Sequence, residues 1–319
     1  MVHKVIFDTD PGVDDAMAIV FAHAHPEIEL LGLTTVRGNA SVALTTRNAL
    51  HIVERIGLSC GVYCGADAAL QVPTGPVPDF VHGTDGLGNI DPPEPKGSAG
   101  AEDAADFIVS TVNASPGDVT LVAVGRLTNL ATALSRDPAI ASKVRQVVVM
   151  GGALGVAGYG GNVSPCAEAN IAGDPHAADQ VFCAEWPLTM VGLDVTMQIV
   201  MTEDRMQRIR DQAGPAGQFV YDISRFYARF YASKGYQHGF PVHDSSALAW
   251  LVTPQAYSLQ RGALRAVTEG IAIGQTIQSP ENAVFPRGAW DGLPIQQVAV
   301  GVDADQVLDA YEQTLRRLG

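Results

Sequence analysis

Val2-His3-Lys4-Val5-Ile6-Phe7-Asp8-Thr9-Asp10-Pro11-Gly12-Val13-Asp14-Asp15-Ala16 lies near the start of the chain, and its reading decides the fold. Residues 2–7 are a β-branched run, with Val2, Val5 and Ile6 leading to Phe7, which predicts a strand. Residues 16–24 carry the pattern of a buried helix. Between them, Pro11-Gly12 makes a sharp turn, and four carboxylates fall within residues 8–15. A strand that turns sharply into a helix is the first half of a parallel βαβ unit.

Outward from this stretch the alternation repeats. Strands are predicted at residues 28–36, 62–64, 119–124, 146–150, 188–193 and 298–302. Helices are predicted at 42–56, from about 129, at 177–182, 202–235 and 304–318. The expectation is an α/β fold, one domain over residues 1–319, with a mostly parallel central sheet flanked by helices. Its active site belongs at the carboxyl ends of the strands. Residues 66–100 are rich in Pro and Gly without periodicity, a long loop of the kind that often serves function.

Composition excludes several classes. With 47% hydrophobic residues in 319, a disordered chain is ruled out. Twenty Lys and Arg against 34 Asp and Glu give a net charge of −14, which disfavours nucleic acid and membrane surfaces as partners. Cys60, Cys64, Cys166 and Cys183 make neither a disulfide framework nor a four-ligand zinc site. The uncharged run between Arg145 and Glu168 holds six glycines, so it reads as a strand leading into a flap and not as a membrane span. Met1-Val2-His3-Lys4-Val5 shows no signal-peptide pattern, and a cytoplasmic protein is expected.

Four carboxylates this close repel one another and raise each other's pKa values unless a cation sits among them. Oxygen donors suit a hard ion, Ca²⁺ or Mg²⁺. The alternative is that Asp14 or Asp15 merely caps the helix that follows.

Asp8-Thr9-Asp10-Pro11-Gly12-Val13-Asp14-Asp15-Ala16 resembles the N-terminal fingerprint of the nucleoside hydrolases, also called ribonucleoside hydrolases or inosine-uridine nucleosidases. Further blocks resemble that family in the same order along the chain. They are Arg37-Gly38-Asn39, His82-Gly83-Thr84-Asp85-Gly86-Leu87-Gly88, Gly125-Arg126-Leu127-Thr128-Asn129, Met150-Gly151-Gly152, Asn162, Ala167-Glu168-Ala169-Asn170 with Asp174-Pro175, and His243-Asp244.

The resemblance implies calcium-dependent hydrolysis of the N-glycosidic bond of a small-molecule ribonucleoside, in nucleoside salvage, by a homodimer or homotetramer. It implies that Asp10, Asp15, Asp244 and the main-chain carbonyl of Val124 hold Ca²⁺, and that Asp10 is also the general base. Asp14 and Asn39 would hold the 2′-hydroxyl, Asn170 and Asp244 the 3′-hydroxyl, and Asn162 and Glu168 the 5′ end. His243 is implied as the group that activates the leaving base, with Tyr231 a matching distance upstream; Met150 and His82 join the substrate set. Such chemistry passes through an oxocarbenium-like transition state and calls for an activated water, a grip on the sugar and a proton for the departing base.

Two departures from the family pattern bear on base preference. Ala169 stands where a Phe is common, and Ser245-Ser246 follows His243-Asp244 where Pro and a small residue are common. Two rivals compete with the hydrolase reading. Phe7-Asp8-Thr9-Asp10 resembles the strand-end Asp-x-Asp of haloacid-dehalogenase-like phosphatases, which would make Asp8 a nucleophile. A non-catalytic nucleoside-binding protein would keep the pocket without turnover.

Overall fold

The first strand and helix form where the opening stretch places them. In a computed structural model describing residues 2–319, β1 spans His3–Thr9 and the next helix Val13–Ala24. β2 (Ile28–Thr35), β3 (Gly61–Cys64), β4 (Val119–Ala123), β5 (Gln146–Met150) and β6 (Leu188–Val191) follow. β7 (Val200–Thr202) and β8 (Gly239–Pro241) pair as a small antiparallel ribbon. β9 (Tyr257–Ala266), β10 (Thr276–Pro280) and β11 (Gln296–Val302) complete the strands.

Nine strands share one sheet in the order β10-β9-β11-β6-β5-β4-β1-β2-β3. From β11 to β3 every pairing is parallel, while β9 pairs antiparallel with both β11 and β10. Parallel strands covered on both faces read as continuous apolar runs, which is why β1, β4 and β5 were legible. Along β1, Val5 and Phe7 face one core while Ile6 faces the other, the period of two expected of a strand. Helices Val13–Ala24, Gly214–Ser233, Asp244–Val252 and Ala304–Leu315 cover the first face. Helices Ala104–Ala114, Thr128–Arg136 and Pro175–Cys183 cover the second.

The expected helix over 202–235 divides into Glu203–Gln212 and Gly214–Ser233. Pro215 explains the break: its ring lacks an N–H and suits the first turn of a new helix, not the middle of an old one. Among the described residues no helix is long and apolar enough to cross a membrane.

From β1 the chain proceeds outward to β2 and β3, then crosses back to β4 on the other side. The order therefore reverses between β1 and β4, and a crevice opens at the carboxyl ends of strands at such a switch point. Asp10 follows β1 and Val124 follows β4.

Candidate active site

Asp15 organises the turn after β1. Its Oδ1 accepts hydrogen bonds from Thr9 Oγ1 (2.5 Å) and the Asp10 N–H (3.0 Å). Its Oδ2 accepts from the Gly12 N–H (2.9 Å) and from Asn39 Nδ2 (2.9 Å). One carboxylate thus closes back on the start of the helix and belongs to the acidic cluster, so both readings of the motif meet in it.

Asp10 Oδ2 accepts the Asn39 N–H at 2.6 Å, and Asp10 Oδ1 is buried with no partner. Glycine is required around this side chain. A Cβ on Gly38 would lie 1.9 Å from Asp10 Oδ2, and one on Gly125 would lie 2.6 Å from Oδ1. Asp14 Oδ2 accepts from the Tyr227 hydroxyl at 3.1 Å, and its Oδ1 is also buried without a partner.

Asp244 begins the helix Asp244–Val252 and brings its carboxylate to the same place. Oxygens of Asp14, Asp15 and Asp244 all lie within 4.8 Å of one another. Burial raises the pKa of each, Asp14 to about 6. Burial and the neighbouring charge of Asp15 push Asp10 well above the usual carboxylate range; burial and the charges of Asp14 and Asp15 do the same to Asp244. The tight group shares Asp15 and Asp244 with the implied ligand set and adds Asp14, while Asp10 stands beside it through Asp15 and Asn39. An all-oxygen donor set with two orphaned buried oxygens fits a hard divalent cation.

Above this floor opens a cavity of about 720 Å³. Every residue of the implied set except Asp15 lines it: Asp10, Asp14, Asn39, His82, Val124, Met150, Asn162, Glu168, Asn170, Tyr231, His243 and Asp244. Asp15 lies beneath them, 0% exposed. The loop anticipated at 66–100 supplies an apolar rim through Pro76, Val77, Pro78, Phe80 and Val81. The glycine-rich segment after β5 contributes Tyr159, Asn162 and Val163. His238 is exposed and does not line the cavity, and Trp186 is core, its Nε1 donating to the Val181 carbonyl.

Two histidines face the cavity with neutral rings. Burial lowers both His82 and His243 to about 4. The Val13 N–H donates to His82 Nδ1 at 3.2 Å, so that nitrogen is an acceptor and Nε2 carries the proton. His243 is bonded on both sides, Nδ1 to Thr196 Oγ1 and Nε2 to the Tyr231 hydroxyl, each at 2.8 Å. Thr196 and Tyr227 were missed in the sequence; they come from separate helices, and no local spacing connects them to the acidic motif.

Glu168 caps the short helix Ala169–Gly173. Its carboxylate accepts from the N–H groups of Gly152, Asn170 and Ile171 at 2.9 to 3.2 Å. Asn170 Nδ2 donates to the carbonyls of Val124 (2.7 Å) and Met150 (3.1 Å), joining the ends of β4 and β5. The Val124 carbonyl keeps a second lone pair for another partner. Asp8, the nucleophile of the phosphatase reading, is 1% exposed and outside the cavity lining. Its Oδ2 accepts from Thr34 Oγ1 (2.6 Å) and Asn129 Nδ2 (2.8 Å), which leaves that reading without an accessible nucleophile.

Comparison with known proteins agrees with this geometry. The family model for inosine-uridine preferring nucleoside hydrolase matches residues 5–309. A relative from Oryza sativa subsp. japonica, named probable uridine nucleosidase 1, is 40% identical over 314 residues, 98% of this chain and 96% of that protein. Among solved structures, the plant nucleoside hydrolase PpNRh1 superposes with a TM-score of 0.94 at 38% identity, covering 99% of both chains. A purine-preferring ribonucleoside hydrolase from Gardnerella vaginalis gives 0.91 at 35% identity, covering 99% of this chain and 98% of that one.

Proposed function

Because this chain belongs to the inosine-uridine preferring nucleoside hydrolase family, we propose that it is a calcium-dependent ribonucleoside hydrolase that releases free ribose and nucleobase, uridine among its substrates. The observation that carries the reading is the buried meeting of Asp14, Asp15 and Asp244 beneath a cavity into which Asp10 and His243 both face.

Asp10, Asp15, Asp244 and the Val124 carbonyl would hold the ion, and Asp14, whose carboxylate meets those of Asp15 and Asp244, would share in it. When bound, Ca²⁺ supplies the charge that keeps these carboxylates ionised and makes a water beside C1′ more acidic. Asp10 takes the proton of that water as the C1′–O bond forms and the C1′–N bond breaks. The Tyr231 hydroxyl gives its proton to the departing base; the phenolate left behind keeps a hydrogen bond from His243 Nε2–H, whose other nitrogen accepts from the Thr196 hydroxyl, and regains a proton from solvent water. That hydrogen bond needs an imidazole carrying its one proton on Nε2, and burial keeps the ring neutral.

Asp14 and Asn39 grip the 2′-hydroxyl, Asn170 and Asp244 the 3′-hydroxyl, and Asn162 lies toward the 5′ end. Glu168 shapes that end through the backbone it caps, since its oxygens already accept from three N–H groups. The apolar rim and Tyr231 enclose the base. We place the enzyme in cytoplasmic nucleoside salvage, as a homodimer or homotetramer.

Incubation with uridine, inosine and 2′-deoxyuridine, following free sugar and free base, tests the reading. Ribose and base are expected in equal amounts from the ribonucleosides. A site built to bond a hydroxyl rejects the analogue lacking it by about 10⁴-fold. The deoxy sugar ionises more easily, so intrinsic chemistry pushes the other way. No sugar release would sink the assignment, and equal rates on uridine and 2′-deoxyuridine would remove the hydroxyl grip.

A further inference from the structure

Asn129 ends the Gly125-Arg126-Leu127-Thr128-Asn129 block, lies 1% exposed, and does not line the cavity. All of its amide is nonetheless engaged at the strand ends. Nδ2 donates to Asp8 Oδ2 (2.8 Å) and to the Thr35 carbonyl (2.9 Å), and Oδ1 accepts the Ala66 N–H (2.9 Å). One side chain on the helix after β4 therefore joins β1, the end of β2 and the segment after β3.

The connection continues to the acidic floor. The Ala66 carbonyl accepts the Arg37 N–H at 2.9 Å, and the Thr9 carbonyl accepts the Val36 N–H at 3.1 Å. Residues 35–37 are thus pinned from below and from the side. They lead directly into Gly38-Asn39, whose Asn39 N–H meets Asp10 Oδ2 at 2.6 Å and whose Asn39 Nδ2 meets Asp15 Oδ2 at 2.9 Å. Gly38 packs against the Asp10 carboxylate with no room for a Cβ, so the height of this peptide above β2 sets where that carboxylate can stand.

We propose that Asn129 is a positioning residue: acting through the 35–39 backbone, it places Asn39 and thereby orients Asp10 and the grip on the 2′-hydroxyl. The inference rests on the functional reading above for the sugar contact, but the positioning itself is measurable without turnover. A misplacement of about 1 Å can cost about 10²-fold in rate, so the effect is large enough to read.

The experiment compares Asn129→Leu with Thr34→Val in the calcium-loaded enzyme. Asn129→Leu keeps the bulk and deletes all three bonds. Thr34→Val deletes only the other hydrogen bond to Asp8 and leaves the link to the 35–39 backbone. Three quantities are read: amide hydrogen exchange over residues 35–40, kcat and KM for uridine, and the ratio of kcat/KM for uridine to that for 2′-deoxyuridine.

Asn129→Leu is expected to speed exchange over 35–40, lower kcat by about 10²-fold and narrow the sugar ratio. Thr34→Val is expected to leave the ratio and the exchange of that segment as in wild type. If Asn129→Leu does not fold, Asn129→Ala takes its place, because it removes the same three bonds and leaves room for water beside the freed groups. A variant with a lowered melting temperature but wild-type exchange over 35–40, wild-type kcat and wild-type sugar ratio overturns the proposal. Should wild type release no ribose, the functional reading fails, and the exchange arm still decides whether Asn129 holds the loop.

Discussion

Asp8 and Asp10 stand two residues apart and meet opposite surroundings. Each keeps one buried oxygen without a hydrogen-bond partner, but Asp10 lines the cavity, whereas Asp8 lies outside it with its other oxygen held by Thr34 and Asn129. Asp10→Asn keeps the shape, the fold and the Asn39 contact but removes the charge and the base. Turnover should fall by at least about 10²–10⁴-fold with little change in melting temperature; activity within tenfold of wild type would refute the role. Asp8 yields a prediction of a different kind. Burial raises it from 3.8 to about 7, so between those values the folded state holds a proton that the unfolded state has lost. Its contribution to stability is present at low pH and lost as pH rises through about 7. Asp8→Asn stays neutral, so in chelator its stability relative to wild type should grow between about pH 4 and pH 7 and stay level above that. Urea unfolding at a series of pH values measures this, and a difference independent of pH would contradict it. At this scale the acidic motif was legible because its residues are neighbours in sequence. Thr196, Tyr227 and the inward turn of Asp8 were not, because only tertiary packing decides them.

Among the elements, the short helix Ala169–Gly173 depends on its cap. Glu168→Ala leaves the N–H groups of Gly152, Asn170 and Ile171 unpaired in a buried place, which should cost about 1–3 kcal/mol. Asn170 would loosen with it, so KM for ribonucleosides should rise as stability falls. Urea unfolding with the wild-type midpoint would show that the cap carries no such weight. Central strands were read correctly because burial on both faces makes them continuous apolar runs. The edge was not read. β9 mixes Gln260, Arg261 and Arg265 with apolar residues, and β10 has five residues with Pro280 at its end, so neither shows clean alternation. Helix Ala104–Ala114 was also unanticipated; Ile108, Val109, Thr111 and Val112 give it the composition of a strand, and packing against the sheet overrides that preference.

For the whole molecule, the sheet explains why residues so distant in sequence share one site. The reversal of strand order between β1 and β4 opens the crevice, and the helix beginning at Asp244 returns late in the chain to close it with His243. Position after an apolar run pointed to the segments that follow β1, β2, β4 and β5, whereas His82, Asn162, Glu168, Asn170, Tyr231 and His243-Asp244 rested on family resemblance. A net charge of −14 with carboxylates gathered at the strand ends favours a cation and a neutral substrate over phosphate-bearing ones. The most direct test is therefore of the ion. The protein is freed of metal with a chelator, exchanged into metal-free buffer, and assayed for ribose release from uridine before and after adding Ca²⁺ or Zn²⁺. The account predicts no turnover without metal and recovery by Ca²⁺ well beyond that by Zn²⁺, as oxygen ligands require. Normal turnover by the metal-free protein would contradict it.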